Sequence, residues 1–375
     1  MAQQRGEPLN RTVLHDWHVA RGARMAPFAG WDMPIQYTSI IEEHQAVRTA
    51  AGVFDISHMG RLSFAGPDAL ALLQQVVTND VAAMKDFQVR YGLVCNDRGG
   101  IRDDVLVYRW PYGYAMVVNA SNRDKIVGWL AAHKGARNVD VADRTFETCM
   151  IAVQGPGAVG LCRGLTEADA SALPYYFAAA TTCQGRPGVV SRTGYTGEDG
   201  LEFMVGKDQG PALWEELVRR GARPCGLGAR DTLRFEAAMP LYGHELGEDI
   251  DPYQAGLGWA VKPDKGDFIG RDALLRLRQD ATRPRRVGLE LQGKRIAREG
   301  ATVTQGGRAV GRVTSGTFAP TLGRALAMAY VEPGCAAPGT DLEVDVRGKA
   351  EAARVVPLPF YRRVKPSPGA AHQRK

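Results

Sequence analysis

The chain has 375 residues, of which 45% are hydrophobic and 23% charged, so it can form two or three packed domains and is not of the intrinsically disordered class. No apolar run approaches the length that crosses a bilayer. The formal net charge of +6 comes from eight clustered basic residues, because the rest of the chain carries a net charge of about −2. Such a local positive charge argues against a nucleic-acid-binding surface. Those eight are Arg283, Arg285, Arg286, Arg362, Arg363, Lys365, Arg374 and Lys375.

The cysteines and the N-terminal residues bear on the cellular compartment. The six cysteines form no Cys-x-x-Cys pair, which predicts free buried thiols, with neither disulfides nor a zinc site. His15 and His18 lie close in sequence, but no second pair of ligands follows, so we predict no metal site. The first residues form neither an apolar signal segment nor an amphipathic presequence, which predicts a cytoplasmic protein.

The N-terminal segment predicts one capped helix over 39–52. Ser39 and Glu42 have the spacing of a capping box, and Gly52 is suited to the end of the helix. An aromatic-rich stretch at 25–37 predicts a loop before this helix, and residues 54–59 predict a strand after it.

Residues 60–143 predict a compact α+β unit. Pro67 suits the first turn of a helix, and Ser121 with Asp124 predicts the cap of another. The predicted helices are 66–77 and 121–135, and the predicted strands are 61–65, 91–95, 104–110, 114–118 and 138–141. Apart from one extra strand, the order is that of a ferredoxin-like unit.

The predicted hairpin at 91–110 carries two adjacent carboxylates. Its turn at 96–100 contains Asn, Asp and paired Gly, which are typical of hairpins. Asp103 and Asp104 follow the turn, and side chains alternate faces along a strand, so at most one of them faces a given cleft. Solvated turn carboxylates and a catalytic carboxylate both fit this pattern.

A second α+β unit is predicted beyond residue 147, with strands at 148–153, 189–192 and 201–205 and helices after Gly155, over 211–220 and after Gly228. The loop at 192–200 is either a plain hairpin loop or the support for a carboxylate, Glu198, that accepts two hydrogen bonds from an amino-heterocycle. Arg230 is either an anion or carbonyl clamp or part of a surface ion pair with Asp231 or Glu236.

The composition changes at 282–286, where we place a domain boundary. Short strands follow at 287–291, 310–314, 325–331, 342–346 and 352–356, separated by Gly, Pro and Thr. This pattern predicts a small antiparallel β domain.

Several longer motifs resemble those of the aminomethyltransferase family, the T-proteins of the glycine cleavage system. They are Phe28-Ala-Gly-Trp-Asp-Met-Pro34 and the stretches 47–59, 96–104, 152–156, 192–200, 225–233, 268–273 and 314–323. Together they extend from about Leu14 to Tyr361, nearly the whole chain.

The resemblance implies an α+β fold: a three-domain cloverleaf with two ferredoxin-like units, one inserted in the other, and a C-terminal antiparallel β barrel. The implied domains are 1–59 with 144–281, then 60–143, then 282–365, followed by a disordered tail at 366–375. The implied reaction passes the carbon of an aminomethyl group, carried on the lipoyl arm of the partner H-protein, to tetrahydrofolate. The products are 5,10-methylenetetrahydrofolate, ammonia and dihydrolipoyl H-protein, and no metal takes part.

The family's functional residues are carried over one by one. The catalytic aspartate is expected at Asp104, because related folate-dependent demethylases have only the second of the two carboxylates. The residues expected to bind folate or line its channel are Glu198, Arg230, Tyr91, Tyr108, Asn119, Tyr195, Met59 and Tyr361.

Two other functions share this fold. One is a demethylase module that works with a flavin domain, but we expect no Gly-x-Gly-x-x-Gly dinucleotide fingerprint and the chain has no room for an added flavoprotein. The other is a non-enzymatic folate-binding protein, whose Lys-Gly-Cys-Tyr motif the sequence lacks.

Overall fold

A computed structural model describes residues 8–363, and the tail predicted at 366–375 lies outside them. The N-terminal elements are helix α1 (His15–Ala20), strands β1 (Arg24–Phe28) and β2 (Trp31–Gln36), helix α2 (Ile40–Thr49) and strand β3 (Gly52–Asp55). Strands β1 and β2 pair antiparallel where we predicted a loop, with positive φ at Ala29 and Gly30 in their turn. The hydroxyl of Ser39 accepts from the Glu42 amide at 3.2 Å, as predicted.

Residues 60–143 form a five-stranded sheet covered by two helices. The elements are β4 (Gly60–Ala65), α3 (Ala69–Val76), β5 (Val89–Cys95), β6 (Ile101–Trp110), β7 (Gly113–Val118), α4 (Arg123–Lys134) and β8 (Asp140–Asp143). The strand order is β5-β6-β7-β4-β8, a ferredoxin-like order with β5 added at one edge. Apolar residues of α3 and α4 pack on one face, and Asp103 of β6 is buried on that side next to Asn122.

A second, six-stranded sheet uses strands from both sides of this segment. Its further elements are β9 (Thr148–Gln154), α5 (Ala158–Leu161), β10 (Ala178–Cys183), β11 (Arg186–Ser191), β12 (Gly200–Gly206), α6 (Gly210–Arg219), β13 (Arg223–Pro224) and α7 (Leu227–Glu236). The order is β10-β11-β12-β9-β3-β13, so β3 joins β9 to β13. Helix α6 covers one face, while the other face turns towards the five-stranded sheet.

The C-terminal part is a closed antiparallel barrel that follows helix α8 (Arg271–Leu277). Its strands are β14 (Arg285–Leu291), β15 (Thr302–Gln305), β16 (Arg308–Ala319), β17 (Arg324–Val331), β18 (Asp341–Asp345) and β19 (Ala350–Val356). The α+β fold class with a C-terminal barrel is thus confirmed. Single 3-10 turns lie at Ala120–Asn122, Lys207–Gln209, Gly258–Ala260, Pro263–Lys265 and Pro333–Cys335.

Several predicted elements need correction. The strand predicted at 54–59 has the wrong bounds: β3 covers Gly52–Asp55, and the Asp55 carboxylate then accepts from the Ser57 amide and starts a turn. Gly52 does not end helix α2, because it is already paired in β3. Strand β15 was missed because it has four residues and little apolar content. The predicted domain boundaries stay predictions, since strand pairing does not delimit domains.

One Gly-x-Gly-x-x-Gly match does occur, from Gly155 to Gly160, so our expectation that the sequence has no such match is wrong. The structure gives it no dinucleotide-binding context. Strand β9, which precedes it, is antiparallel to both neighbours, and α5, which follows it, is a single turn. A parallel βαβ unit, which this fingerprint requires, is therefore missing at this position.

Candidate functional site

A cavity of about 960 Å³ lies between the two sheets and the barrel. Its wall draws on β6 of the five-stranded sheet, β12 of the six-stranded sheet, helix α7 and β16 of the barrel. Three lining residues, Ala29, Tyr176 and Ala238, have positive φ although none is glycine. Such conformations cost energy and are concentrated at functional sites, so the cavity is the candidate site.

Asp104 presents a carboxylate to this cavity, held by two neighbouring side chains. The side-chain amide of Asn119 donates to one carboxylate oxygen at 2.7 Å, and the hydroxyl of Tyr91 donates to the other at 3.2 Å. Trp259, which is largely exposed, stacks on the Tyr91 ring with centroids 5.3 Å apart. Burial and the nearby Asp104 raise the pKa of Tyr91, so its hydroxyl remains a donor.

Asp103 lies on the opposite face of β6, as strand alternation predicts, and is completely buried. Its carboxylate accepts three hydrogen bonds: from the backbone amide of Asn119, from the Asn119 side chain at 2.8 Å and from Asn122 at 2.6 Å. Burial raises the pKa of both Asp103 and Asp104, and the negative charge of Asp104 adds to the rise at Asp103. Asp103 therefore supports the strand, while Asp104 faces the cavity.

Arg230 and Glu202 provide opposite charges at another part of the wall. The Arg230 guanidinium lies 4.8 Å from the centre of the Tyr195 ring, and its Nη1 is buried without a hydrogen-bond partner among residues 8–363. The buried carboxylate of Glu202 accepts from the Thr193 hydroxyl. Burial raises the pKa of Glu202, which the charge of Arg230 partly opposes. An acceptor and an unpaired donor are thus available to a polar ligand.

Glu198, which we expected to bind folate, is not part of the cavity wall. Its carboxylate accepts from Arg48 at 3.0 Å and from the Tyr361 hydroxyl at 2.7 Å, in a buried network beside helix α2. Gly197, with φ of 79°, turns the chain before β12 and leaves Glu198 outside the strand. Glu202, within β12, faces the cavity instead.

Two more expected channel residues lie elsewhere. Tyr361 is held by Glu198, and its ring lies 3.9 Å from the Arg48 guanidinium. Tyr108 is fully buried in the apolar layer between the sheets, where it stacks on Trp110. Neither lines the cavity. The expected residues that do line it are Met59, Tyr91, Asp104, Asn119, Tyr195 and Arg230.

Several further residues line the cavity, among them Glu202, Tyr176 and His58, which we did not predict. An alternation in β12 could have revealed Glu202, because Leu201, Phe203 and Val205 all pack into the core on the other face. Tyr176 and His58 lie outside regular strands, so no periodicity marks them. Burial and the charge of Arg230 lower the pKa of His58 to about 3, so its ring is neutral.

The predictions about the cysteines, possible metal-binding groups and possible membrane-spanning helices concern residues 8–363. All six cysteines are free and buried, as predicted. Within residues 8–363, no group of three or more His, Cys, Asp or Glu side chains is arranged to hold a metal ion. Nor does that range contain a helix that is long and apolar enough to span a bilayer.

Comparisons with known proteins cover nearly all of the chain. Residues 14–265 match the model of the GCVT N-terminal domain, and residues 285–362 match that of the glycine cleavage T-protein C-terminal barrel domain. The chain is 48% identical to the aminomethyltransferase of Symbiobacterium thermophilum, over 95% of this chain and 98% of the relative. It is 47% identical to that of Rubrobacter xylanophilus, over 96% of each.

A solved structure shows the same architecture. The crystal structure of glycine cleavage system aminomethyltransferase T from Bartonella henselae matches with a TM-score of 0.90 and 33% identity. The match covers 96% of this chain and 100% of that one.

Proposed function

The chain belongs to the glycine cleavage T-protein family, and from this premise we propose how its cavity performs aminomethyl transfer. The protein is an aminomethyltransferase of the glycine cleavage system. The family uses tetrahydrofolate. We propose that the aminomethyl donor is the lipoyl arm of H-protein, and that the products are 5,10-methylenetetrahydrofolate, ammonia and dihydrolipoyl H-protein.

The size and chemistry of the cavity suit a reduced folate. A volume of about 960 Å³ lies at the upper end of the range for small-molecule sites and leaves room for a second reactant. We propose that Glu202 accepts hydrogen bonds from the amino edge of the pteridine, while the unpaired Nη1 of Arg230 donates a hydrogen bond to the carbonyl oxygen of the pteridine. Tyr195, which lies against Arg230, fixes the direction of the guanidinium.

The observation that carries the proposal is the carboxylate of Asp104, which faces the cavity between two donors. Asn119 and Tyr91 each bind one of its oxygens, so the carboxylate has a fixed orientation. A fixed negative charge stabilises the positive charge that develops on the amine nitrogens during transfer. The raised pKa of Asp104 also favours proton transfer to and from its carboxylate. We therefore propose Asp104 as the catalytic residue.

The test is to assay ammonia release with aminomethylated H-protein and tetrahydrofolate. Release should require both reactants and should yield one methylenetetrahydrofolate per ammonia. A protein that instead formed methylenetetrahydrofolate only together with a flavoprotein and an N-methyl amine would be a demethylase module. Binding of folate with no turnover of H-protein would indicate the non-enzymatic alternative.

We also propose a cytoplasmic location, in keeping with the bacterial relatives. The proposed domains remain 1–59 with 144–281, 60–143 and 282–365. Limited proteolysis would test them, since cleavage should first occur near the proposed boundaries.

A further inference from the structure

His58 lies on the turn that leads from one sheet to the other. The Ser57 amide donates to the Asp55 carboxylate at 2.9 Å, and the Met59 amide donates to the Ile56 carbonyl at 3.1 Å, which together fix this turn. Asp55 is itself anchored by His18 at 3.0 Å. The turn is thus rigid, and it holds the His58 ring in the cavity wall.

The imidazole of His58 is buried with a polar atom left unsatisfied. The residue is 2% exposed, and Nδ1 has no hydrogen-bond partner among residues 8–363. The edge-to-face neighbour of the ring is Phe28, with centroids 5.5 Å apart, which cannot replace a hydrogen bond. A buried polar atom without a partner costs roughly 1–3 kcal/mol, so folded proteins rarely keep one without a reason.

The distribution of such atoms points to a ligand. Eight buried side-chain atoms of the described part of the chain lack a partner, and only two of them belong to residues that line the cavity. These are Nδ1 of His58 and Nη1 of Arg230. The two residues line the same cavity, and the charge of Arg230 contributes to the lowered pKa of the imidazole.

We propose that His58 is a further folate-binding residue, whose Nδ1 forms a hydrogen bond with the pteridine edge beside the atom held by Arg230. This inference rests on the proposed function, because it takes a reduced folate as the ligand. The ring is neutral near pH 7 and binds as a polar partner without an ionic charge. It thereby recognises the position of a polar atom on the pteridine and takes no part in proton transfer.

The test compares folate affinity with the stability of the free protein. Tetrahydrofolate binding to the full chain is measured by anaerobic calorimetry for wild type, His58→Leu, His58→Asn and His58→Gln. We expect His58→Leu to bind roughly tenfold more weakly or worse. Its unfolding temperature without folate should be unchanged or higher, because an unsatisfied polar atom has been removed.

The amide variants identify the contacting atom. Asn places its polar atoms near the position of Nδ1, while Gln places them near that of Nε2, so Asn should retain more affinity. The matched control is Gln75→Leu, which removes another unpaired buried polar atom at a residue that does not line the cavity, and should leave folate affinity unchanged.

Each outcome decides the inference. A His58→Leu protein that binds folate as tightly as wild type would overturn it, and show a core histidine without a ligand role. If His58→Leu failed to fold, equal affinity of the Asn variant, the Gln variant and wild type would overturn it as well. If wild type itself bound no tetrahydrofolate, the proposed function would fail together with this inference.

Discussion

The hydroxyl of Tyr91 lies 3.2 Å from a carboxylate oxygen of Asp104 on the adjacent strand. Tyr91 pairs with Leu106 in the ladder, so Tyr91 and Asp104 are diagonal neighbours on one face of the sheet. The geometry of the hairpin therefore supplies the proposed catalytic carboxylate with a donor, and Trp259 stacks on the ring of that donor.

The first prediction concerns the two adjacent carboxylates. Asp104→Asn should lower turnover by ~10²–10⁴ and leave folate affinity nearly unchanged, since the amide has almost the same shape but no charge. Asp103→Asn should reduce turnover far less. Instead, it should destabilise the fold by roughly 1–3 kcal/mol, because an amide N–H would face the N–H donors of Asn119 and Asn122. Steady-state kinetics and denaturant melts would measure both effects, and the reverse assignment would refute the choice of Asp104.

The second prediction concerns stability and pH. Burial raises the pKa of Asp104 above that of the unfolded chain, so the folded state binds more protons between the two pKa values. The free energy of unfolding therefore falls as pH rises through that window. Asp104→Asn removes this loss of stability at higher pH. It also removes the negative charge that helps to raise the pKa of Asp103, so the stability lost through Asp103 becomes smaller as well.

We expect the difference in unfolding temperature, Asp104→Asn minus wild type, to become more positive as the pH rises from about 4 to about 7. Calorimetry without folate would measure it, with Asp124→Asn, an exposed carboxylate, as the control. A difference that stays constant over this range would show that the pKa of Asp104 is ordinary.

The third prediction separates two glutamates. Glu202→Gln and Arg230→Ala should each weaken folate binding by roughly 1–3 kcal/mol, since each change leaves a polar partner of the pteridine unpaired. Glu198→Gln should leave folate affinity unchanged and lower the unfolding temperature, because it weakens the buried contact with Arg48. Calorimetry on the three variants would test this, and a folate defect in Glu198→Gln alone would restore the original assignment.

The fourth prediction concerns H-protein docking. We propose that a basic rim attracts the carrier protein, which we expect to be acidic, with Arg362 and Arg363 as the candidate residues. Arg363 lies 3.3 Å from Asp199, which reduces its net charge, whereas Arg362 is exposed. Arg362→Glu should therefore raise the KM for H-protein at low salt with little effect on folate, because rim charges act mainly on the association rate.

The increase in KM should become smaller as the salt concentration approaches ~0.5 M, where the screening length falls to a few Å. Arg354→Glu, which removes an exposed arginine of the barrel strand β19, is the control for general charge. Unchanged H-protein kinetics for Arg362→Glu at low salt would exclude this arginine from docking.

Features that depend on near neighbours could be predicted from the sequence. The turn at 96–100 specifies its hairpin, and strand alternation places Asp103 and Asp104 on opposite faces. The cap at Ser39 depends on residues three apart. The long motifs also identified the family, because they extend over most of the chain.

Only the tertiary structure decided which side chains reach the cavity. Glu198 and Glu202 are four residues apart in sequence, yet the first binds Arg48 and the second lines the cavity. His58 was assigned to a strand, and β3 was not expected to join β9 to β13. The physical reason is that burial and ligand contact depend on packing between segments up to hundreds of residues apart, and local spacing carries no information about which partner each side chain meets.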